Sequence, residues 1–142
     1  MRPAPAWFDP FRRGYPDRVT PTTSEQELYR FLEDRFACAQ ACTECARACA
    51  VRASLLDPDG TDGPERARRQ GILCAEVCDT TCRMLSEQNC QDQAGLRIQL
   101  EWCRAVCLDS AEAFDGRTGA RATAEACRAC ARACADFVAA LG

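Results

Sequence analysis

From residue 24 to residue 141, apolar and small residues return every three to four positions, the period of one face of an α-helix. No segment shows the strict alternation of a strand. Local signals divide the stretch into four. "TSEQEL" offers a capping box, Ser24 with Glu27 three residues on, and the pattern that follows runs to about Leu55, where "DPDGTDGP" ends it. Asp62 and Glu65 form a second box, with Pro64 suited to a first turn, and predict a helix to about Gln88. "NCQDQAG" precedes a third helix, roughly Asp92 to Phe114, and "DGRTG" separates it from a fourth, roughly Ala120 to Leu141. Four helices of similar length with short connections predict an all-α, antiparallel four-helix bundle over residues 24–142. Residues 1–23 hold five of the seven prolines and read as an extended N-terminal arm.

The core face of each predicted helix is written largely in cysteine. At 100° per residue, Cys38, Cys42, Cys45 and Cys49 fall within about 60° of one another. Cys74, Cys78 and Cys82 span about 80°, Cys103 and Cys107 about 40°, and Cys127, Cys130 and Cys134 about 60°. Continuing the stripes reaches Leu28 and Phe31, then Leu85, Leu96, Leu100 and Phe114, and last Phe137, Val138 and Leu141. The thiols therefore belong to the buried face and line the inside of the bundle. Their heights, at a rise of about 1.5 Å per residue, overlap in one band. Cys90 falls past the end of the second helix, at the mouth opposite the turns between helices 1 and 2 and helices 3 and 4. A faint repeat accompanies the stripes: "CTECARACA" at 42–50 matches "CRACARACA" at 127–135 at seven of nine positions, and helices 2 and 3 carry the related "CAEVC" and "CRAVC".

Composition narrows the chemistry. Thirteen of 142 residues are cysteine, a density typical of small secreted disulfide scaffolds. The amino terminus has no apolar signal core, and the polar stretch after Arg12-Arg13 lacks the run that a twin-arginine signal requires. The expected compartment is therefore the reducing cytosol, where cysteine-rich patterns mean metal or catalysis more often than disulfides. Net charge is −3, all eighteen basic residues are arginine, and histidine is absent. Neither a nucleic-acid footprint nor a polybasic membrane signal is present, and no window has the length of a membrane span.

Four readings of the thiols compete. Disulfides within a stripe are disfavoured because β-carbons at i and i+4 lie about 6 Å apart, beyond the span of the bond. A plain core is a poor account of so many thiols where Leu and Ile would pack better. Cys42/Cys45 and Cys127/Cys130 form C-x2-C pairs, but mid-helix on a buried face rather than at the exposed helix start of a redox site, so no enzyme is expected. Metal remains, as structural zinc, another thiolate metal or Cu(I). Zinc on four thiolates leaves two buried negative charges per site. Cu(I) is softer, accepts low coordination and, at about one ion per bridging thiolate, leaves the core neutral.

C-x3-C-x2-C-x3-C in helix 1, C-x3-C-x3-C in helix 2, C-x3-C in helix 3 and C-x2-C-x3-C in helix 4, all on inward faces, resemble the bacterial copper storage proteins over about residues 24 to 141. The resemblance implies a cytosolic homotetramer of bundles, each storing many Cu(I) ions on inward cysteines for copper homeostasis or detoxification, with copper chaperones or small thiols as loading partners. Family members often carry histidine or methionine where copper arrives. This chain has no histidine, and Met84 projects away from the tube, so Cys90 with Cys38 and Cys82 is the expected port. Tyr29, Leu32 and Phe36 form a second apolar stripe on helix 1, facing either the arm or a neighbouring subunit.

Overall fold

A computed structural model of the chain describes residues 23–56, 62–87 and 92–142. The arm and Cys90 lie outside the described residues. Among the described residues there are four helices: α1 (Thr23–Leu55), α2 (Asp62–Ser86), α3 (Gln93–Phe114) and α4 (Arg121–Ala140). The boundaries follow local chemistry. Asp92 caps α3 by accepting the Gly95 N–H at 2.8 Å. The α3–α4 turn needs backbone that only glycine adopts freely, with φ of 76° at Gly116 and 77° at Gly119. Arg52, near the end of α1, donates to the Gly119 carbonyl at 2.6 Å.

The chain divides into two units, Met1–Phe31 and Leu32–Gly142. Within the first, the described residues are the opening turns of α1, and the bundle belongs to the second. Its neighbouring helices run antiparallel. Cys74 meets Cys107 and Cys78 meets Cys103 across α2 and α3. Cys45 meets Cys74 and Thr43 meets Cys82 across α1 and α2. Cys49 meets Cys127 and Cys42 meets Cys130 across α1 and α4. The predicted all-α antiparallel four-helix bundle is the fold observed.

Leu85, Leu96, Leu100, Phe114 and Phe137 are buried, as their stripes predict. Leu28 is not: it is 56% exposed, and Phe31, Val138 and Leu141 are half-buried. Leu28 and Phe31 belong to the opening turns of α1, in the first unit. Of the second α1 stripe, Tyr29 and Phe36 are exposed and Leu32 is half-buried.

The repeat seen in the sequence is a pseudo-two-fold of the bundle, perpendicular to its long axis. Gln70, Cys74, Val77, Cys78, Thr81 and Leu85 of α2 correspond in order and spacing to Gln99, Cys103, Val106, Cys107, Ser110 and Phe114 of α3. Likewise Cys42, Cys45 and Cys49 of α1 correspond to Cys127, Cys130 and Cys134 of α4. The operation exchanges the two ends of the bundle. At one end the equivalent positions hold Leu85 and Leu100; at the other they hold Phe114 and Gly71. The pairs trade size: a β-carbon on Gly71 would stand 3.0 Å from Phe114 Cζ and 3.3 Å from the Cys49 carbonyl, so the larger ring is accommodated by the absence of a side chain opposite it.

Candidate metal centre

Eleven of the twelve described cysteines are buried, and none of the twelve is in a disulfide. Their sulfurs meet across helices. Cys45 lies 3.7 Å from Cys74, 3.9 Å from Cys107 and 3.8 Å from Cys127. Cys78 lies 3.5 Å from Cys107, 3.8 Å from Cys103 and 3.9 Å from Cys130. Cys49 approaches Cys127 at 3.4 Å, and Cys130 approaches Cys42 at 3.6 Å. Within a stripe, Cys45 and Cys49 stand 4.0 Å apart and Cys74 and Cys78 3.9 Å, so i and i+4 neighbours touch without being able to bond.

These contacts resolve into three groups of four: Cys42, Cys103, Cys130 and Cys134; Cys45, Cys78, Cys107 and Cys130; and Cys45, Cys49, Cys74 and Cys127. In each, the four sulfurs lie within 4.8 Å of one another. The groups share corners, Cys130 between the first two and Cys45 between the last two. The pseudo-two-fold exchanges the outer groups and maps the middle one onto itself. Ten thiols therefore form one continuous symmetric cage rather than three separate pockets.

The spacing suits shared metal. With a metal–thiolate bond of about 2.3 Å, two sulfurs on one ion stand about 3.8 Å apart at a tetrahedral angle, about 4.0 Å at a trigonal one and about 4.6 Å in line. The contacts of 3.4 to 4.0 Å reach the tetrahedral and trigonal values with shifts of a few tenths of an ångström, which side-chain torsions supply. Charge separates the candidate ions. Among the described residues the buried polar side chains other than the thiols are Thr81, Ser110 and Thr123, all uncharged. Three Zn(II) on ten thiolates would set six positive charges against ten negative ones with nothing buried nearby to offset the difference, at heavy desolvation cost. Cu(I), at one ion per thiolate, balances each sulfur's single negative charge and leaves the filled cage neutral.

The protonation pattern has the same symmetry. Cys45 and Cys103 are pulled below the ordinary thiol range, chiefly by hydrogen bonds from Cys107, and Cys74 is lowered by the same donor. Cys130 is pushed upward by Cys103, but Cys107, Cys134 and Cys42 outweigh it and hold the thiol at about 7. Hydrogen bonds with Cys103 first among the causes push Cys42, Cys78, Cys107 and Cys134 up. Cys49 is pushed up chiefly by Cys127, and Cys127 chiefly by Cys45. Thiols inclined to ionise are thus surrounded by thiols that keep and donate their protons. Cys38, outside the three groups, is lowered to about 5 by hydrogen bonds from Cys134 and then Cys42, against its burial.

Two positions break the symmetry. Cys38 corresponds to Thr123 and Cys82 to Ala111, so both extra thiols belong to one half of the bundle. Cys82 is the one described cysteine that is not buried. Its sulfur sits 3.0 Å from Thr43 Oγ1 in the seam between α1 and α2. Because the Thr43 hydroxyl donates to the Ala39 carbonyl at 3.0 Å, the Cys82 S–H is the donor of that contact. The sequence places Cys82 on the inner stripe; the structure moves it to the edge, with Thr43 as an unforeseen partner. Two further pairs escape the stripe analysis: Gln70 with Ser110 and Gln99 with Thr81, which cross between α2 and α3. Their signal is the pattern Q-x3-C-x3-C-x2-[ST], present in both helices.

A bundle whose core is a continuous cage of free thiols defines a multinuclear soft-metal-binding protein. Residues 24–139 match the family model for Csp, the copper storage protein, and the chain belongs to that family. Among solved structures it is similar to a histidine-to-alanine variant of Ccsp from Streptomyces lividans, at 35% identity and a TM-score of 0.57, over 82% of this chain and 96% of that one. A cytosolic copper storage protein from Streptomyces lividans with five coppers matches at 34% identity and a TM-score of 0.55, covering 80% and 93%. Ccsp from the same organism loaded with 10 copper equivalents matches at 33% identity and a TM-score of 0.55, covering 89% and 94%. A comparison with curated proteins finds no match.

Proposed function

We propose that this chain stores copper as Cu(I) on the cage thiolates Cys42, Cys45, Cys49, Cys74, Cys78, Cys103, Cys107, Cys127, Cys130 and Cys134, with Cys38, Cys82 and Cys90 as additional ligands toward one end. The observation that carries the reading is the corner-sharing of the three thiol groups, which suits bridging monovalent ions and leaves divalent ones with uncompensated charge. The protein acts as a store or detoxifying buffer, without catalysis. Its cytosolic setting is supported by the likeness to a cytosolic copper storage protein and by the twelve free thiols. Residues 24–142 form the store and residues 1–23 an arm. Assembly as a homotetramer follows the family resemblance, and the exposed Phe36, Ile98 and Trp102 offer apolar surface for it. Copper chaperones or small thiols are the expected donors.

Anaerobic titration of the reduced protein with Cu(I) against a competing chelator tests the assignment. On the order of ten tightly held ions per chain is expected, from about one ion per bridging thiolate. A preference for three Zn(II), or saturation at one or two Cu(I), overturns it.

Loading enters by ligand exchange at the half that carries the extra thiols. An incoming Cu(I)–thiolate gives its ion to the Cys82 sulfur, and the Cys82 proton leaves on the donor thiolate. Cys82→Ser and Cys90→Ser are each expected to slow stopped-flow Cu(I) uptake while lowering capacity by no more than about one ion. An unchanged rate in either variant removes that residue from the port.

A further inference from the structure

Sulfur–sulfur contacts are soft and carry little directional preference, so the cage thiols do not by themselves fix how α2 slides or rolls against α3. Two clasps do. Gln70 of α2 donates from Nε2 to Ser110 Oγ of α3 at 3.2 Å, and Gln99 of α3 donates from Nε2 to Thr81 Oγ1 of α2 at 3.0 Å. Each hydroxyl in turn donates to its own helix, Ser110 to the Val106 carbonyl at 2.8 Å and Thr81 to the Val77 carbonyl at 2.7 Å. Both hydroxyl residues are fully buried. The clasps are exchanged by the pseudo-two-fold and lie at opposite ends of the sulfur ladder formed by Cys74, Cys78, Cys103 and Cys107.

We propose that Gln70 and Gln99 are positioning residues for copper binding: the two clasps lock the α2–α3 register that holds Cys74, Cys78, Cys103 and Cys107 at ion-sharing distance. The inference rests on the copper-store reading. A pair of directional bonds, one at each end of the ladder, fixes both translation and rotation, which one bond cannot do. From Gln70 to Thr81 is about three helical turns, roughly 16 Å of rise, and the four ladder cysteines fall between them. A slip of even one ångström would take the 3.8 Å contacts of Cys74 with Cys107 and of Cys78 with Cys103 outside the bridging range in concert. The buried hydroxyls also penalise any register in which they lose their partners.

The test compares wild type with Gln99→Met, Gln70→Met, Thr81→Val and Thr81→Ser, all as full-length protein. Apo thermal midpoints are read alongside Cu(I) retention against a chelator and the ultraviolet thiolate-to-copper absorption. Methionine keeps the length of glutamine without its donor. Gln99→Met and Thr81→Val are expected to weaken Cu(I) retention about tenfold, the scale of one lost buried hydrogen bond, and to alter the absorption band. Thr81→Ser, which keeps the hydroxyl, is expected to match wild type. Gln70→Met is expected to reproduce the Gln99→Met loss, and stands in for it should that variant fail to fold. Copper retention equal to wild type in the methionine variants, whatever their thermal midpoints, overturns the proposal, as does a Thr81→Ser loss equal to that of Thr81→Val. Wild type binding only one or two ions would instead remove the store reading on which the proposal rests.

Discussion

Cys45→Ser is expected to lower Cu(I) capacity by several ions, well beyond the single ion lost with an unshared thiol. Cys45 belongs to two of the three thiol groups and lies within 4.0 Å of Cys49, Cys74, Cys107 and Cys127. Serine is nearly isosteric, so the fold is kept, but its hard, weakly acidic hydroxyl is a poor partner for Cu(I). Every ion bridged through Cys45 loses a ligand at once, and the cage is cut between its middle and one end. From about ten ions, one per cage thiolate, the variant should fall to roughly seven or fewer, while Cys49→Ser falls by about one. The pseudo-two-fold supplies a control, since Cys130→Ser removes the equivalent shared corner and should match Cys45→Ser. Anaerobic titration against a chelator reads all three. Equal single-ion losses for Cys45→Ser and Cys49→Ser would show that the corners are not shared.

Phe114→Ala is expected to be the most destabilising single change in the apo bundle, by about 3–5 kcal/mol. The ring is fully buried, and the position facing it is Gly71, which has no side chain to move into the space. Leu85, the pseudo-symmetric equivalent, has Leu100 at the corresponding facing position, so Leu85→Ala should fall lower within the usual range of about 2–5 kcal/mol. Against a total stability of about 5–15 kcal/mol the Phe114 loss is large, and urea unfolding of the reduced apo-protein measures it through the transition midpoint. Copper binds the folded cage and so adds stability by mass action, and the loaded Phe114→Ala protein should stay folded where the apo form does not. An apo loss under about 1 kcal/mol, smaller than a cavity of this size requires, would mean that the bundle end closes over the gap.

Much of this was legible from spacing. Local signals located all four helices to within two residues at each end: Asp92 caps α3 and the glycines of "DGRTG" make the turn that follows it, while Ser24 and Asp62, read as caps, fall just inside their helices. The inward stripes were equally plain, since cysteines at i, i+3, i+4 and i+7 can only share a face. Three things were not. The sharing of Cys45 and Cys130 between groups depends on distances across helices, and a helical projection contains none. The placement of Cys82 depends on Thr43, 39 residues earlier in the chain and adjacent in space. The Gln70 and Gln99 clasps lie just off the cysteine stripes, although the same four-position pattern stands in both helices.

The hydrogen-bonded thiols of the cage have a consequence for acidity. Each Cu(I) that binds a sulfur still carrying its proton displaces that proton, so filling the bundle releases acid and emptying it consumes acid. The resting protein is in this sense a reservoir of protons held in an apolar interior, ready to be exchanged one for one with a metal of the same charge. A fall in the surrounding pH favours the return of those protons and therefore the departure of copper.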